Sequence, residues 1–301
     1  MKLVITGGTG FIGRPLCETL QQAGHELVVL TRTPRPGPNA RIRFVVWKPG
    51  VRGPWQREFE GADGLINLAG ESIAEGRWTL QRKHAIAESR VGTTKLLVET
   101  MGQARQKPRV LVNASAIGYY GPRGDEPVTE AESPGTGFLA ETCRQWEQAA
   151  QAAESCGVRV VRLRIGIVLA RDGGALAKML PPFRWGLGGP LGSGRQWMSW
   201  IHREDLVQLM RFVLEQPQAA GAFNATAPNP VTMRELASTL GRVLHRPAIE
   251  PVPGWMLRMA LGEMVDMLLT GQRVLPEAAQ RLGFAFRYPK LAEALSACLQ
   301  G

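Results

Sequence analysis

A chain of 301 residues with 44% apolar and 21% charged side chains has the make-up of an ordinary soluble globular protein, long enough for one large domain or two closely packed ones. Its formal net charge is +10, but the basic residues fall as singles and pairs, and no run of like charge forms a nucleic-acid-binding arm. Nucleic acid is therefore set aside as a partner, while the positive balance suits a ligand carrying several phosphates.

Lys2–Thr6, K-L-V-I-T, predicts a short buried parallel strand. G-G-T-G-F-I-G, Gly7 to Gly13, comes next and opens an amphipathic run, Arg14–Ala23; Gly24-His25 ends that helix and Glu26–Thr31 is a second strand. Strand, glycine turn, helix and strand within about 30 residues make a βαβ unit. In the spacing Gly7-x-x-Gly10-x-x-Gly13, Gly7 permits the sharp turn and Gly10 leaves room for a pyrophosphate. Gly13 lets the helix pack close to the sheet. Phe11 and Ile12 complete the turn, and the N–H groups at the helix start face the phosphates. At the end of the second strand an acidic residue would select NAD(H), but this chain has Thr31-Arg32-Thr33. Arg32 can pair with a 2′-phosphate or stack on adenine, which predicts NADP(H); a solvated surface charge is the alternative.

Residues 34–64 are rich in Pro and Gly, with one strand-like run at Arg43–Trp47. Gly64–Asn67 reads as the fourth strand, and Leu68, Ala69 and Gly70 as a thin wall against the adenosine side. Glu71 follows, placed to bind a substrate hydroxyl or amine or to cap the next element. Trp78–Arg105 is a long helical pattern, in which Arg90 either reaches the cofactor or forms a salt bridge. Arg109–Ala116 is a buried strand leading into Ile117-Gly118-Tyr119-Tyr120-Gly121-Pro122. Thr136–Ala153 reads as helix and Arg159–Leu169 as strand, with Arg164 a candidate phosphate or substrate ligand.

Ala175–Phe183 predicts a short helix, and the glycine-dense Gly186–Gly194 a lid-like loop. Arg195 and Trp197 then either offer contacts to an anionic or ring-bearing substrate or serve structure, and His202 reads as a packing or hydrogen-bonding residue. Arg203–Glu215 is helix, Gly221–Ala225 strand, and Val231–Leu244 a helix with Thr232 as N-cap and Glu235 completing a capping box. Alternation of strand and helix predicts an α/β protein: a Rossmann doubly wound parallel sheet over residues 1–170, with segments at about 195–230 returning to it, and a smaller C-terminal α/β substrate lobe from 171–194 and 231–301. Cys17, Cys143, Cys156 and Cys298 form no C-x-x-C pair and no metal set is evident, so no metal is expected. Trp255–Leu269, broken by Arg258, Glu263 and Asp266, is too charged to span a bilayer. With no leader-like start, the expectation is a cytoplasmic monomer or homodimer acting on a small molecule, without membrane partners.

These segments together resemble the extended short-chain dehydrogenase/reductase superfamily over nearly the whole chain. Thr6–Gly13 is similar to its cofactor fingerprint, Asn67–Gly70 to its N-A-G turn, Ser115 through Tyr120-Gly121 to its S-S-x-x-V-Y-G segment, and Trp200-Ile201-His202-x-x-Asp205 to its F-I-H-V-x-D segment. N-L-A-G-E-S-I at Asn67–Ile73, Gly118–Gly121, Leu180–Gly194 and Gly271–Pro276 resemble the YfcH-type "epimerase family" subgroup, sometimes labelled cell-division inhibitor. The resemblance implies a Tyr-x-x-x-Lys pair in the helix ending at Trp146-Glu147. One register puts Leu139 and Cys143 there; the other puts Phe138 and Thr142. Neither supplies Tyr or Lys. Counting back from Tyr120 for the superfamily's Ser or Thr gives Ala116, with Ser115 one step off. The expected function is an NADP(H)-dependent oxidoreductase or nucleotide-sugar-epimerase-like enzyme, with Tyr119 or Tyr120 as proton donor and Ser115 as helper; the other reading of the tyrosines is that they pack against substrate or core and donate no proton. The alternative is a non-catalytic NADP(H)-binding sensor or regulator tied to cell division.

Overall fold

The computed structural model describes residues 1–37, 40–248 and 251–300. Seven parallel strands form the central sheet: β1 (Lys2–Thr6), β2 (Glu26–Thr31), β3 (Ile42–Val46), β4 (Gly64–Asn67), β5 (Val110–Ala116), β6 (Arg159–Ile165) and β7 (Gly221–Ala225). Their order in space is β7-β6-β5-β4-β1-β2-β3. The chain builds outward from β1 to β3, crosses back to β4 and builds outward again. The direction therefore reverses between β1 and β4, and crevices at such a reversal, beyond the carboxyl ends of the strands, are where doubly wound sheets bind ligands.

Successive side chains of a strand point to opposite faces, so β1 supplies two cores at once. Leu3 and Ile5 join a layer with Leu16 and Leu20 of α1 (Gly13–Gln22) and Leu209 and Met210 of α5 (Arg203–Glu215). Val4 joins the opposite layer with Leu97 and Met101 of α2 (Leu80–Gln103) and Ala150 of α3 (Phe138–Gln151). Helices thus cover both faces. That burial is why the strands read as continuous apolar runs.

A smaller lobe grows from the β6 end of the sheet. Ile167–Ala170 pairs with Trp200–His202, and α4 (Gly174–Arg184) and α6 (Met233–Leu244) pack with Leu291 and Leu295 around Trp200. Thr232 caps α6 by accepting from the Glu235 N–H at 3.2 Å, and Glu235 answers on the Thr232 N–H at 2.7 Å. The tail does not stay in this lobe, which departs from the expected grouping of 231–301. Arg273–Val274 pairs with Pro127–Val128, and Ala278 and Ala279 enter the main core with Leu282, Phe284 and Phe286 packed against it. Their apolar spacing lies over α5, where Phe284 meets Phe212 at 5.4 Å. Among the described residues no helix is long and apolar enough to cross a membrane.

His202 joins the lobe to α5. Its ring accepts from the Glu204 N–H at 3.2 Å and packs 4.1 Å from the Tyr288 ring, while Asp205 accepts from the N–H groups of Arg287 and Tyr288. Burial pulls the imidazole down to about 4, so the fold holds it neutral. A group depressed in this way binds more protons when unfolded. The stability it confers is complete above about 6.5 and is lost as pH falls toward 4. Urea denaturation across that window should show this decline, and His202→Asn should flatten it.

Candidate functional site

The turn after β1 is shaped by steric necessity. Gly7 sits at φ +67°, and a Cβ there would lie 2.7 Å from the Leu68 carbonyl oxygen. A Cβ on Gly13 would lie 2.2 Å from the Gly7 carbonyl oxygen and 2.6 Å from Gly8 Cα. Gly13 therefore closes the turn on itself. The close approach to the sheet belongs to Gly8, whose Cβ would meet Val29 Cγ1 at 2.7 Å. That corrects the expected division of labour. At Gly10 a Cβ would meet only the Gly7 carbonyl oxygen, at 3.2 Å, and would otherwise project into open space. No side chain caps α1 and no acidic residue stands in its first turn. A shaped cradle with open space at Gly10 and an uncapped helix start fits a pyrophosphate.

The Phe11 side chain turns away from the cradle. Its ring packs on the Gly173–Gly174 backbone, where a Cβ on Gly173 would lie 2.4 Å from Phe11 Cδ2, and the Arg203 guanidinium lies 5.0 Å from the ring centroid. Only its backbone, like that of Ile12, remains for a ligand. Arg32 stands exposed just beyond β2, whereas the buried Thr31 turns its hydroxyl to the Thr33 carbonyl at 3.2 Å.

The wall at Leu68, Ala69 and Gly70 is held from below. The Thr6 hydroxyl donates to Asn67 Oδ1 at 2.6 Å and accepts from the N–H groups of Leu68 and Ala69. Asn67 Nδ2 donates to Asn113 Oδ1 at 2.7 Å and to Thr94 Oγ1 at 2.9 Å, and the Trp146 indole donates to the same hydroxyl. Sequence reasoning missed this network. Its signal is two polar residues inside apolar strands, which register places side by side, Asn67 opposite Asn113. Arg90 of α2 reaches the wall: its Nη2 donates to the Glu71 carbonyl at 2.9 Å, and its guanidinium packs so close to Gly70 that a Cβ there would lie 3.1 Å from the guanidinium carbon. Burial lowers the pKa of Arg90. The Glu71 carboxylate is 44% exposed and accepts from Arg82.

The residues at the end of β5 separate into two environments. Tyr120 is 0% exposed; its hydroxyl donates to Asn224 Oδ1 at 2.6 Å and accepts from Arg164 Nη1 at 2.8 Å. Burial pushes that hydroxyl up to about 12. Tyr120 is therefore corrected from proton donor to core residue. Arg164, 3% exposed, forms a two-pronged pair with Glu147 at 2.8 and 2.9 Å and donates also to the Glu130 carbonyl. Its expected role toward a phosphate is likewise corrected, because four of its five N–H groups are taken inside the protein. Ser115 donates to Glu147 Oε1 at 2.7 Å. Tyr119 is half-buried, with the Arg164 guanidinium 3.6 Å from its ring centroid.

The α3 register is now defined. A Cβ on Gly118 would lie 3.4 Å from Leu139 Cβ and 3.9 Å from Cys143 Sγ, so these two face the turn. Burial pushes the Cys143 thiol up to about 12. Arg195 and Trp197 stand apart from these groups. Arg195 is exposed, and the Trp197 indole donates to Asp125 at 2.7 Å while its ring carries Arg273 at 5.0 Å. Among the described residues no group of three or more His, Cys, Asp or Glu could hold a metal ion.

Sheet order, switch point and glycine turn together define an extended short-chain dehydrogenase/reductase type of Rossmann fold. The chain belongs to the NAD dependent epimerase/dehydratase family, whose model matches residues 3–226; a domain of unknown function, DUF1731, matches 252–298. It is 42% identical to the chloroplastic epimerase family protein SDR39U1 homolog of Arabidopsis thaliana over 100% of this chain and 87% of that one. It is 40% identical to the Bacillus subtilis epimerase family protein YfhF, over 98% and 97%. The human epimerase family protein SDR39U1, isoform 2, solved with NADPH, superposes with a TM-score of 0.89 at 34% identity, covering 100% of both chains.

Removing one partner of a buried ion pair strands the other, at a cost of about 3–5 kcal/mol. Arg164→Met should lower unfolding stability by that order in urea titrations. Replacing Arg164 and Glu147 together by Met should cost less than the single change.

Proposed function

We propose that this protein is an NADP(H)-dependent oxidoreductase or epimerase-like enzyme whose proton donor lies outside the usual Tyr-x-x-x-Lys pair. The observation that carries this is the cradle at Gly7, Gly10 and Gly13, which leaves open space in front of an uncapped helix start. The NADPH in the similar human structure supports the choice of cofactor. Gly7, Gly10, Ile12 and Gly13 would hold the pyrophosphate through backbone groups, with Leu68, Ala69 and Gly70 as the wall beside it. Arg32, exposed beyond β2, would meet the 2′-phosphate with a charge-assisted contact. Arg90 braces the wall by holding the Glu71 carbonyl.

When bound, the nicotinamide gives or takes the hydride. The protein must then manage a proton, and Leu139 and Cys143 face the turn where the usual pair would stand. Leu139 has no titratable group, and burial holds Cys143 as a thiol at neutral pH. Tyr120 is occupied by Asn224 and Arg164. Tyr119 Oη is the remaining phenol of this turn and is assigned the proton. Its ring is fixed by Arg164, and Ser115, anchored to Glu147, supports the same strand end.

Purified protein incubated with NADPH and a panel of carbonyl compounds should oxidise the cofactor, read as loss of absorbance. Tyr119→Phe should slow that turnover by about 10²- to 10⁴-fold while leaving NADPH binding intact. Tight binding with no turnover on any carbonyl would replace this assignment with a cofactor sensor. In calorimetry, Arg32→Asp should weaken NADPH against NADH by roughly 10- to 100-fold; an unchanged ratio would remove Arg32 from the phosphate site.

A further inference from the structure

The wall after β4 runs into a loop, residues 71–79, that leads to α2. Its first part is tied to α2. The Glu71 N–H donates to the Ser89 hydroxyl at 3.1 Å, and Arg82 holds the Glu71 carboxylate and the Ser72 carbonyl. Further along, the loop is tied to the second lobe from two elements. Lys178 of α4 donates to the Ala74 carbonyl at 3.1 Å. Arg77 donates to the carbonyls of Met259 at 2.7 Å and Ala260 at 3.4 Å, in the last turn of α7 (Gly254–Leu261), where a cation also suits the helix dipole. Lys83, in the first turn of α2, pairs with Glu263 just past α7. α7 itself is joined to the lobe where Val252 pairs with Leu191.

α4 bridges the crevice. Gly173 and Gly174 at its start lie against the Phe11 ring, in the turn after β1, and Lys178, one helical turn on, reaches the loop after β4. β1 and β4 are the neighbouring strands between which the sheet reverses direction. A dinucleotide laid over the Gly7–Gly13 cradle and the Leu68–Gly70 wall would thus lie between the sheet edge and this bridge. The ties that close it are hydrogen bonds and an ion pair at the surface, and α7 has no buried residue. Each such contact contributes little, so the bridge can open without unfolding either lobe.

We propose that residues 71–79 form a strap over the dinucleotide crevice, latched to the second lobe by Lys178, Arg77 and the Lys83–Glu263 pair, and that release of this latch gates entry and exit of the cofactor. This rests on the cofactor assignment above. The latch joins parts of the chain to one another, so loosening it opens the crevice equally for a dinucleotide arriving and one leaving. Both rates then rise together and affinity stays level. A side chain that held the dinucleotide itself would change release and affinity instead.

Stopped-flow fluorescence of NADPH on the full chain reads both rates, and calorimetry reads Kd. Lys83→Glu should speed entry and release each by roughly two- to fivefold, with Kd unchanged. Adding Glu263→Lys to Lys83→Glu reverses the pair and should restore both rates. Lys178→Met, which leaves the α7 contacts alone, should also speed both rates, so the test stands even if Lys83→Glu disturbs α7. Unchanged rates in both variants, or a weaker Kd with unchanged entry, overturns the proposal. A wild-type chain that binds no NADPH would instead remove the cofactor assignment, and calorimetry alone reads that failure.

Discussion

The pairing of Arg164 with Glu147 fixes the geometry of the turn that follows β5 at the carboxyl edge of the sheet. Taking two charges out of water costs several kcal/mol per ion, and the exchange is acceptable only with good geometry and with the remaining polar atoms satisfied. Both conditions hold. The pair is two-pronged, Ser115 and Tyr120 complete it, and a further strand is drawn in through Asn224. Strand β6 is thereby bound to α3, and the turn after β5 is clamped between them. Tyr119 inherits its position from this arrangement, because the guanidinium that serves Glu147 also covers its ring.

Most of the architecture is legible in the residues. The apolar runs at 2–6, 26–31, 64–67, 110–116 and 159–165 announce strands buried on both faces, and the glycine spacing names the turn that follows the first. The capping box at Thr232 was visible three residues ahead of its partner. What could not be read was orientation. Arg164 and Tyr120 have the side chains of ligands and proton donors, but sequence gives no sign that Glu147, seventeen positions from Arg164, would meet it in the core. Strand polarity alone does not tell which face of β6 is filled by a carboxylate from a helix. Phe11 sits in the glycine turn, but nothing in the sequence shows that its ring would lie against glycines more than 160 positions away.

The two halves of the cleft obey different rules. On the β1 side the constraints are steric and largely backbone-borne: a Cβ on Gly7 or Gly13 would strike main-chain atoms, whereas one on Gly8 would strike the packed side chains of Val29 and Cys17. On the α3 side the constraints are set by side chains, and the fold tolerates a leucine and a cysteine facing the turn. This separation lets one scaffold retain its nucleotide-binding geometry while its reactive end diverges, and chemistry must be argued from the residues at that end.

Strand β7 has a further consequence. It is contributed by residues 221–225, long after the chain has entered the lobe, yet it hydrogen-bonds along the outer side of β6. A fragment stopped near residue 170 would leave β6 with a row of unsatisfied backbone groups and an apolar face, a template for pairing with other chains. The nucleotide-binding half is thus sealed only when the second half has been made. During synthesis the growing sheet remains sticky until residue 225 has emerged, so co-translational protection of that open side should matter more than for folds whose last strand is made early.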